Sequence, residues 1–127
     1  MFQFFSALFH LDSRGMNGKG NAIKFAQYKK FGQVEKVDLT EFAQALISGT
    51  EVAELKVDAK HVAIWGWSYG GFTTSHVLGY QDPTWSCGVA VAPVADFRFY
   101  DSIYTERYMQ DTVTNKDGYR ALKLMTK

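Results

Sequence analysis

The segment Ile64-Trp65-Gly66-Trp67-Ser68-Tyr69-Gly70-Gly71 gives the clearest indication of how this 127-residue chain folds. It begins inside an apolar, β-rich run, His61–Trp65, and leads into Gly71–Leu78, which fits a two-turn helix. A Gly-x-Ser-x-Gly sequence between a strand and a helix is typical of a nucleophile elbow, a strained turn that lifts the serine hydroxyl out of the sheet. The sequence therefore predicts Ser68 as a catalytic nucleophile, with the backbone N–H of Tyr69 as one oxyanion-hole donor.

The flanking glycines belong to the same prediction. Side chains at Gly66 and Gly70 would collide with the neighbouring strand and helix, so an elbow requires glycine on both sides of the serine. A plainer interpretation is that Ser68 only begins a helix and that the glycines only permit close packing. The strand before the motif and the helix after it favour the elbow.

Two further apolar runs, Ala7–Leu11 and Gly88–Ala92, resemble the run before the serine. Near-continuous apolar runs, without strict alternation, are typical of strands covered on both faces. Strands that alternate with helices imply a parallel sheet whose functional groups gather at the carboxyl ends of the strands. The order β-α-β-α-β thus predicts an α/β fold with three parallel strands and flanking helices.

The helices are predicted from apolar spacing and from their end signals. The first helix is expected to start near Asp38 and to end at Gly49, and the second is expected to end at Gly79. An aromatic-rich helix is predicted over Phe97–Met109, followed after Asp111 by a polar and weakly helical tail. The apolar residues that carry the first helix are Val34, Val37, Phe42, Ala45 and Leu46.

Composition narrows the function classes. Hydrophobic residues make up 46% and aromatic residues 16%, which indicates a folded domain. The net charge of +1 gives no reason to expect binding to nucleic acid or to an anionic membrane. The apolar start, Phe2–Leu11, is shorter than the roughly 20 residues of a membrane helix, so a soluble chain is expected. Cys87 is the only cysteine, which rules out an intrachain disulfide, and neither a metal nor another cofactor is expected.

Four stretches of the sequence carry a family resemblance. The elbow, Cys87–Val94 and Tyr100–Met109 resemble the dipeptidyl peptidase IV branch of the prolyl oligopeptidase family. Upstream, Asp12-Ser13-Arg14-Gly15 is similar to the family's Asp-Gly-Arg-Gly loop, and Ser13 departs from it. The resemblance implies that residues 1–127 form one partial α/β-hydrolase catalytic domain, without the family's β-propeller.

The resemblance also implies an activity. The family releases dipeptides from peptides with proline or alanine as the second residue, through an acyl-enzyme on the residue that matches Ser68. Phe97 stands where the family usually has tryptophan, so the pocket is expected to differ there. Asp101 favours dipeptidyl peptidase IV-like over fibroblast activation protein-like specificity without deciding between them. The positions that match the family's substrate-binding residues are Tyr69, Val94, Phe97, Tyr100, Tyr104 and Arg107.

Without the resemblance, the tyrosines would be assigned differently. Tyr100, Tyr104 and Tyr108 recur at helical spacing, and such a stripe is more often core than pocket.

The resemblance also bears on assembly and location. Full-length relatives dimerise and are cell-surface or secreted proteins, which assigns no location to this chain.

The remaining catalytic groups are not found after the serine. A serine hydrolase of this fold needs an aspartate and then a histidine downstream of the nucleophile. The only histidine after Ser68 is His76, roughly 12 Å further along the same helix, and it cannot reach the serine hydroxyl. Asp96 follows the third predicted strand, but no later histidine accompanies it. We therefore expect negligible peptidase activity from the chain alone.

Three other residues receive structural assignments. His10 and His61 fall in predicted strands, where a core or edge position is expected. Cys87 resembles a cysteine that the family pairs with one near its carboxyl end, and here it is expected to be an unpaired, mostly buried thiol.

Two alternative functions stay open. A non-catalytic interaction module, or a degraded gene product, would retain the fold without the activity, although inactive relatives characteristically replace the serine that Ser68 preserves. An esterase or lipase would share only the elbow, and the tyrosine segment argues against it.

Overall fold

The computed structural model describes residues 6–50 and 55–122. Two strands, β1 (Ala63–Trp67) and β2 (Cys87–Val91), pair in parallel, with Trp65 opposite Val89. The predicted strand–helix–strand order around the serine is confirmed, with each strand displaced by one or two residues from its predicted limits. The elements are α1 (Asn21–Lys24), α2 (Gln33–Ser48), β1 (Ala63–Trp67), α3 (Tyr69–Gly79), β2 (Cys87–Val91), a 3₁₀ helix (Phe97–Phe99), α4 (Ser102–Met109) and α5 (Lys116–Ala121).

Helix α3 covers one face of the two-stranded sheet. Ile64 is 9% exposed, and a Cβ on its partner Gly88 would lie 2.6 Å from the Leu78 side chain, so these positions face the helix. The alternate positions of the strands point the other way, and Trp65 and Trp67 are 60% and 68% exposed there. Within the described residues the strands are thus covered on one face, not on both as predicted.

The core lies at the end of α3 that is nearer the serine. It joins the loop before α2, the first turn of α3, the 3₁₀ helix and the two C-terminal helices. Each fully buried aromatic or aliphatic side chain contributes about 1.5–3 kcal/mol to folding, which is why these short elements stay together. The core residues are Phe31, Phe72, Phe97, Met109, Tyr119 and Leu122.

Helix α2 starts earlier than predicted. It begins at Gln33 rather than near Asp38, after Gly32 in the left-handed region (φ 76°). A Cβ at Gly32 would lie 2.8 Å from the His76 ring, so contact with α3 shapes the start of the helix. The predicted end is confirmed, since Gly49 is a left-handed cap (φ 74°, ψ 15°).

The expectation of a strand at Ala7–Leu11 is wrong. These residues form no strand with any described segment, and Leu8 is 86% exposed. Phe9 packs edge-on against Phe42 of α2, with ring centroids 6.0 Å apart. An apolar run becomes a strand only where another strand offers backbone groups to pair with, and this run lies on a helix instead.

The predicted helix over Phe97–Met109 is broken in two. Tyr100 is extended (φ −89°, ψ 176°) and separates the 3₁₀ helix from α4. Asp101 then caps α4, because its Oδ1 accepts a 2.8 Å hydrogen bond from the Tyr104 N–H. The polar tail after Asp111 contains α5, as the sequence predicts.

Two further expectations are corrected by exposure. His61 precedes β1 and is exposed, with Nδ1 2.7 Å from Asp58 Oδ2, and His10 is an exposed coil residue. Cys87 begins β2 and is exposed rather than buried. Within the described residues, no segment covers the sheet face that carries Trp65 and Cys87.

Among the helices of residues 6–50 and 55–122, none combines the length and hydropathy needed to span a bilayer.

Candidate active site

Ser68 occupies a sharp turn between β1 and α3. Its backbone has φ 56° and ψ −111°, a conformation that L-residues rarely adopt and that costs of order 1–3 kcal/mol. Its N–H donates a 2.9 Å hydrogen bond to the carbonyl oxygen of Val91, at the end of β2. The side chain is exposed and does not cap α3. Ser68 is therefore not an ordinary helix-capping serine.

Close packing around the turn explains two of its glycines. A Cβ at Gly66 would lie 2.4 Å from the backbone carbonyl of Gly70, and a Cβ at Gly71 would lie 2.8 Å from the Val91 carbonyl oxygen. Around Gly70 itself, nothing within the described residues lies within 4 Å of such a Cβ. The collisions expected on both sides of the serine thus occur at Gly66 and Gly71, and Gly70 provides the backbone that Gly66 approaches.

Most of the predicted pocket residues form one connected group that begins at Tyr69, the residue after Ser68. The Tyr69 ring lies 6.0 Å from that of Phe97, which lies 6.2 Å from the Tyr100 ring. The series continues to Tyr104, 5.6 Å from Tyr100. Val94 packs against the same core from the loop after β2. The carboxyl ends of both strands therefore meet this aromatic wall, as expected for a parallel sheet.

The members of the wall differ in exposure. Phe97 is only 2% exposed and supports the wall from behind, whereas Tyr100 and Tyr104 are 46% and 37% exposed. Tyr108 continues the stripe into the core, so one end of the stripe is core and the other is surface. Arg107 is exposed, and its guanidinium lies 5.7 Å from the Tyr108 ring centroid.

Glu35 is a site neighbour that the sequence analysis did not identify. It lies in the first turn of α2, is 4% exposed, and its Oε1 accepts a hydrogen bond from the Tyr69 hydroxyl. Burial raises the pKa of the Glu35 carboxyl, and the hydrogen bond from Tyr69 opposes that rise. Burial, together with the Glu35 charge, also raises the pKa of the Tyr69 phenol. No sequence pattern signals a pair that is 34 positions apart.

The other candidate catalytic groups lie elsewhere. His76 is buried in α3, and its ring stacks on Phe72 with centroids 5.4 Å apart. Asp96 caps the 3₁₀ helix by accepting from the Arg98 N–H, and it forms an ion pair with the Arg98 guanidinium. Neither contact directs these side chains toward Ser68. Within residues 6–50 and 55–122, no three His, Cys, Asp or Glu side chains are placed to hold a metal ion.

The Asp12–Gly15 loop is anchored to α2. Arg14 donates to Asp38 through its backbone N–H at 2.7 Å and through its guanidinium Nη2 at 2.6 Å. Burial tends to raise the pKa of the Asp38 carboxyl, but the hydrogen bonds from Arg14 outweigh it and hold the pKa below its usual value. Gln27 links this loop to the site, since its Nε2 lies 3.4 Å from the Gly15 carbonyl oxygen and its Oε1 lies 3.5 Å from the Tyr69 hydroxyl.

Comparison with known proteins places this geometry in a family. The profile of the prolyl oligopeptidase family matches residues 6–127. A protein of Aspergillus fumigatus named "Probable dipeptidyl peptidase 4" is 45% identical over 112 residues, which are 87% of this chain and 14% of that protein. "Dipeptidyl peptidase 4" of Trichophyton equinum is 41% identical over 109 residues, covering 86% of this chain and 13% of that protein.

A solved structure shows the same arrangement. The crystal structure of Porphyromonas gingivalis dipeptidyl peptidase 4 is 41% identical and has a TM-score of 0.78, covering 89% of this chain and 15% of that one. The chain thus spans between 13% and 15% of the length of these relatives. The parallel strands, the elbow and the flanking helices are those of an α/β hydrolase. Because the family profile covers nearly the whole sequence, this chain belongs to the prolyl oligopeptidase family.

Proposed function

We propose that Ser68 is the nucleophile of a serine exopeptidase that releases dipeptides from peptides with proline or alanine in the second position. The observation that carries this proposal is that Ser68 is strained and exposed, and that its N–H donates to the Val91 carbonyl oxygen. The next residue, Tyr69, begins the aromatic wall. The names of the relatives support it, since they are dipeptidyl peptidases.

The local geometry supports a defined role for each group. The Ser68 hydroxyl attacks the carbonyl carbon of the second residue and gives its proton to a histidine base, which forms a tetrahedral oxyanion. The peptide C–N bond then breaks, the amine leaves with that proton, and water hydrolyses the resulting acyl-enzyme to release the dipeptide. The Tyr69 N–H is the first amide of α3, so it has no acceptor within the helix and adds the positive end of the helix dipole to the oxyanion. The flat rings of Tyr100 and Tyr104 suit the rigid proline ring.

Proton transfer requires a histidine that this part of the site does not supply. His76 is buried within α3, and His10 and His61 lie before the elbow. Removing triad members from serine hydrolases leaves only the residual catalysis of the oxyanion hole and binding. We therefore propose that the 127-residue chain by itself has negligible peptidase activity.

A non-catalytic interaction module is the second candidate. The uncovered sheet face, with Trp65, Trp67 and Val89 all at least 60% exposed, favours it because large exposed apolar patches mark contact surfaces. Such a module would not require the strained backbone at Ser68.

A chimera distinguishes the two candidates. Residues 6–122 would replace the matching segment of the Porphyromonas gingivalis enzyme, which supplies the rest of the molecule, and Ser68→Ala would be the matched control. We expect hydrolysis of an Ala-Pro reporter by the chimera and none by the control. A chimera with the circular dichroism and elution volume of the parent, but without activity, would count against the peptidase proposal.

The chain alone is tested with a fluorophosphonate probe. We expect neither labelling of Ser68 nor reporter hydrolysis, because no histidine is available to take the hydroxyl proton. Labelling at Ser68 in the isolated chain would contradict the proposed inactivity.

A further inference from the structure

We propose that Glu35 is a positioning residue for the pocket: its buried carboxylate holds the Tyr69 ring beside Ser68 and thereby sets the preference for proline over alanine. This inference rests on the function proposed above, because Tyr69 belongs to the aromatic wall of that site.

The contact itself is direct. The Tyr69 hydroxyl donates to Glu35 Oε1, and its other acceptor, Gln27 Oε1, is at the long distance of 3.5 Å. Glu35 is 4% exposed, so its carboxyl group is largely shielded from water. A hydrogen bond between side chains in a buried setting is directional and stronger than the same bond in water. Glu35 is thus the main acceptor that fixes the hydroxyl end of Tyr69.

Packing alone does not provide this restraint. The Tyr69 ring lies among Phe31, Phe72 and Phe97, at centroid distances of 5.1, 5.6 and 6.0 Å. These aromatic contacts place the ring, but none of them binds the hydroxyl at its far end. The hydrogen bond to Glu35 restrains that end, and with it the surface that Tyr69 presents next to the nucleophile.

Stability gives only part of the reason for a carboxylate at this position: the first turn of α2 favours negative charge, but the burial of Glu35 opposes it. Burying an acid is costly, and a buried polar pair is often no more stable than an apolar pair of the same volume. The second carboxylate oxygen, Oε2, is buried and accepts no hydrogen bond within the described residues. A group that is expensive to bury, and that contacts the residue following the nucleophile, is better explained by the site than by the core.

The consequence for substrates follows from their shapes. A proline ring fills the pocket and touches its walls, whereas an alanine methyl leaves part of the pocket empty. A displaced Tyr69 ring should therefore weaken binding of proline more than binding of alanine, since a poorer apolar fit lowers kcat/KM by a modest but measurable factor. The ratio of the two kcat/KM values reports this effect.

The test uses the chimera described above, in which residues 6–122 replace the matching segment of the Porphyromonas gingivalis enzyme, with Ala-Pro and Ala-Ala reporters. Glu35→Leu removes the acceptor at similar volume, Glu35→Gln keeps an acceptor, and Tyr69→Phe removes the donor. For Glu35→Leu and Tyr69→Phe we expect KM for the proline reporter to rise about tenfold, with a smaller change for the alanine reporter. Glu35→Gln should stay within about threefold of the unmodified protein, because its amide oxygen still accepts the hydrogen bond.

A purely structural role predicts another pattern. It would lower the fraction of active protein and reduce kcat equally for both reporters, with the ratio unchanged. If Glu35→Leu does not fold, the double variant Glu35→Leu/Tyr69→Phe replaces it, since removing both partners is nearly neutral for stability. The double variant should show the same loss of proline preference as Tyr69→Phe alone.

The outcomes separate the inference from the function on which it rests. An active unmodified protein whose proline-to-alanine ratio is unchanged in Glu35→Leu or in the double variant would overturn the inference alone. Equal losses in Glu35→Gln and Glu35→Leu would also overturn it. An unmodified protein that hydrolyses neither reporter and is not labelled at Ser68 would overturn the proposed function, and the inference with it.

Discussion

The backbone N–H of Ser68 donates a 2.9 Å hydrogen bond to the carbonyl oxygen of Val91, which ties the turn after β1 to the last residue of β2. This bond keeps Ser68 at the point where both parallel strands end. The bond requires a close approach of the turn to the strand, and this approach requires glycine at positions 66 and 71, where a Cβ would collide with the backbone. The position of Ser68 is therefore a property of the packing around the turn as much as of the turn itself.

The two glycines of the motif should respond differently to substitution. Gly66→Ala places a methyl group against the Gly70 backbone and should lower the free energy of unfolding by about 2 kcal/mol. Gly70→Ala meets open space in the first turn of α3, and alanine favours a helix by up to about 1 kcal/mol, so it should be neutral or stabilising. Urea unfolding followed by tryptophan fluorescence measures both, and equal losses would contradict the steric argument.

Relief of backbone strain should be measurable at Ser68. Ser68→Gly should raise the free energy of unfolding by about 1 kcal/mol, because glycine adopts φ 56° without strain and this gain exceeds its entropic cost. Ser68→Ala is the matched control, since it also removes the hydroxyl but keeps the strain. If both variants are equally stable in the same urea experiment, the turn is not strained.

The buried carboxyl should make stability depend on pH. Burial raises the pKa of Glu35 above 4.5, so the folded chain binds this proton more tightly than the unfolded chain does. The protonated Glu35 carboxyl therefore adds to the free energy of unfolding. This stabilisation is complete below pH 4.5 and is lost as the pH rises through the raised pKa. Glu35→Gln has no such proton and should remove this fall, which urea unfolding at a series of pH values would detect.

A second glutamate of the same helix provides the control. Glu41 is exposed, so Glu41→Gln makes the same carboxylate-to-amide change on α2 without altering a buried side chain. Parallel curves for the unmodified chain and Glu35→Gln would show that the Glu35 carboxyl does not titrate differently in the folded state.

The uncovered sheet face should cause the isolated chain to associate. Trp65 and Trp67 are 60% and 68% exposed side by side, and each strand pairs on one edge only within the described residues. We expect oligomers in gel filtration with light scattering, and a shift toward monomer for Trp65→Lys/Trp67→Lys. Ile103→Lys/Val113→Lys, at exposed apolar positions outside the sheet, should not produce this shift. A clean monomer of the unmodified chain would contradict the prediction.

Local sequence signals predicted the elements nearest the serine and failed further away. The strand, turn and helix around Ser68 are short-range features, each marked by apolar residues and glycines within a few positions. The strand predicted at Ala7–Leu11 is absent because pairing depends on a partner strand that an apolar run cannot specify. The interruption at Tyr100 was also missed, although Asp101 followed by Ser102 is a capping signal that could have revealed it.

The candidate site divides in the same way. Ser68, its glycines and the family that they indicate can be predicted from the sequence, since a strained turn restricts the residues that can form it. Only the packed structure shows which rings lie near the serine and which of them are buried. The same is true of the hydrogen bond between Glu35 and Tyr69. The physical reason is that a turn is restricted by sterics between neighbours in the chain, whereas burial and hydrogen bonds between distant residues exist only after the helices have packed.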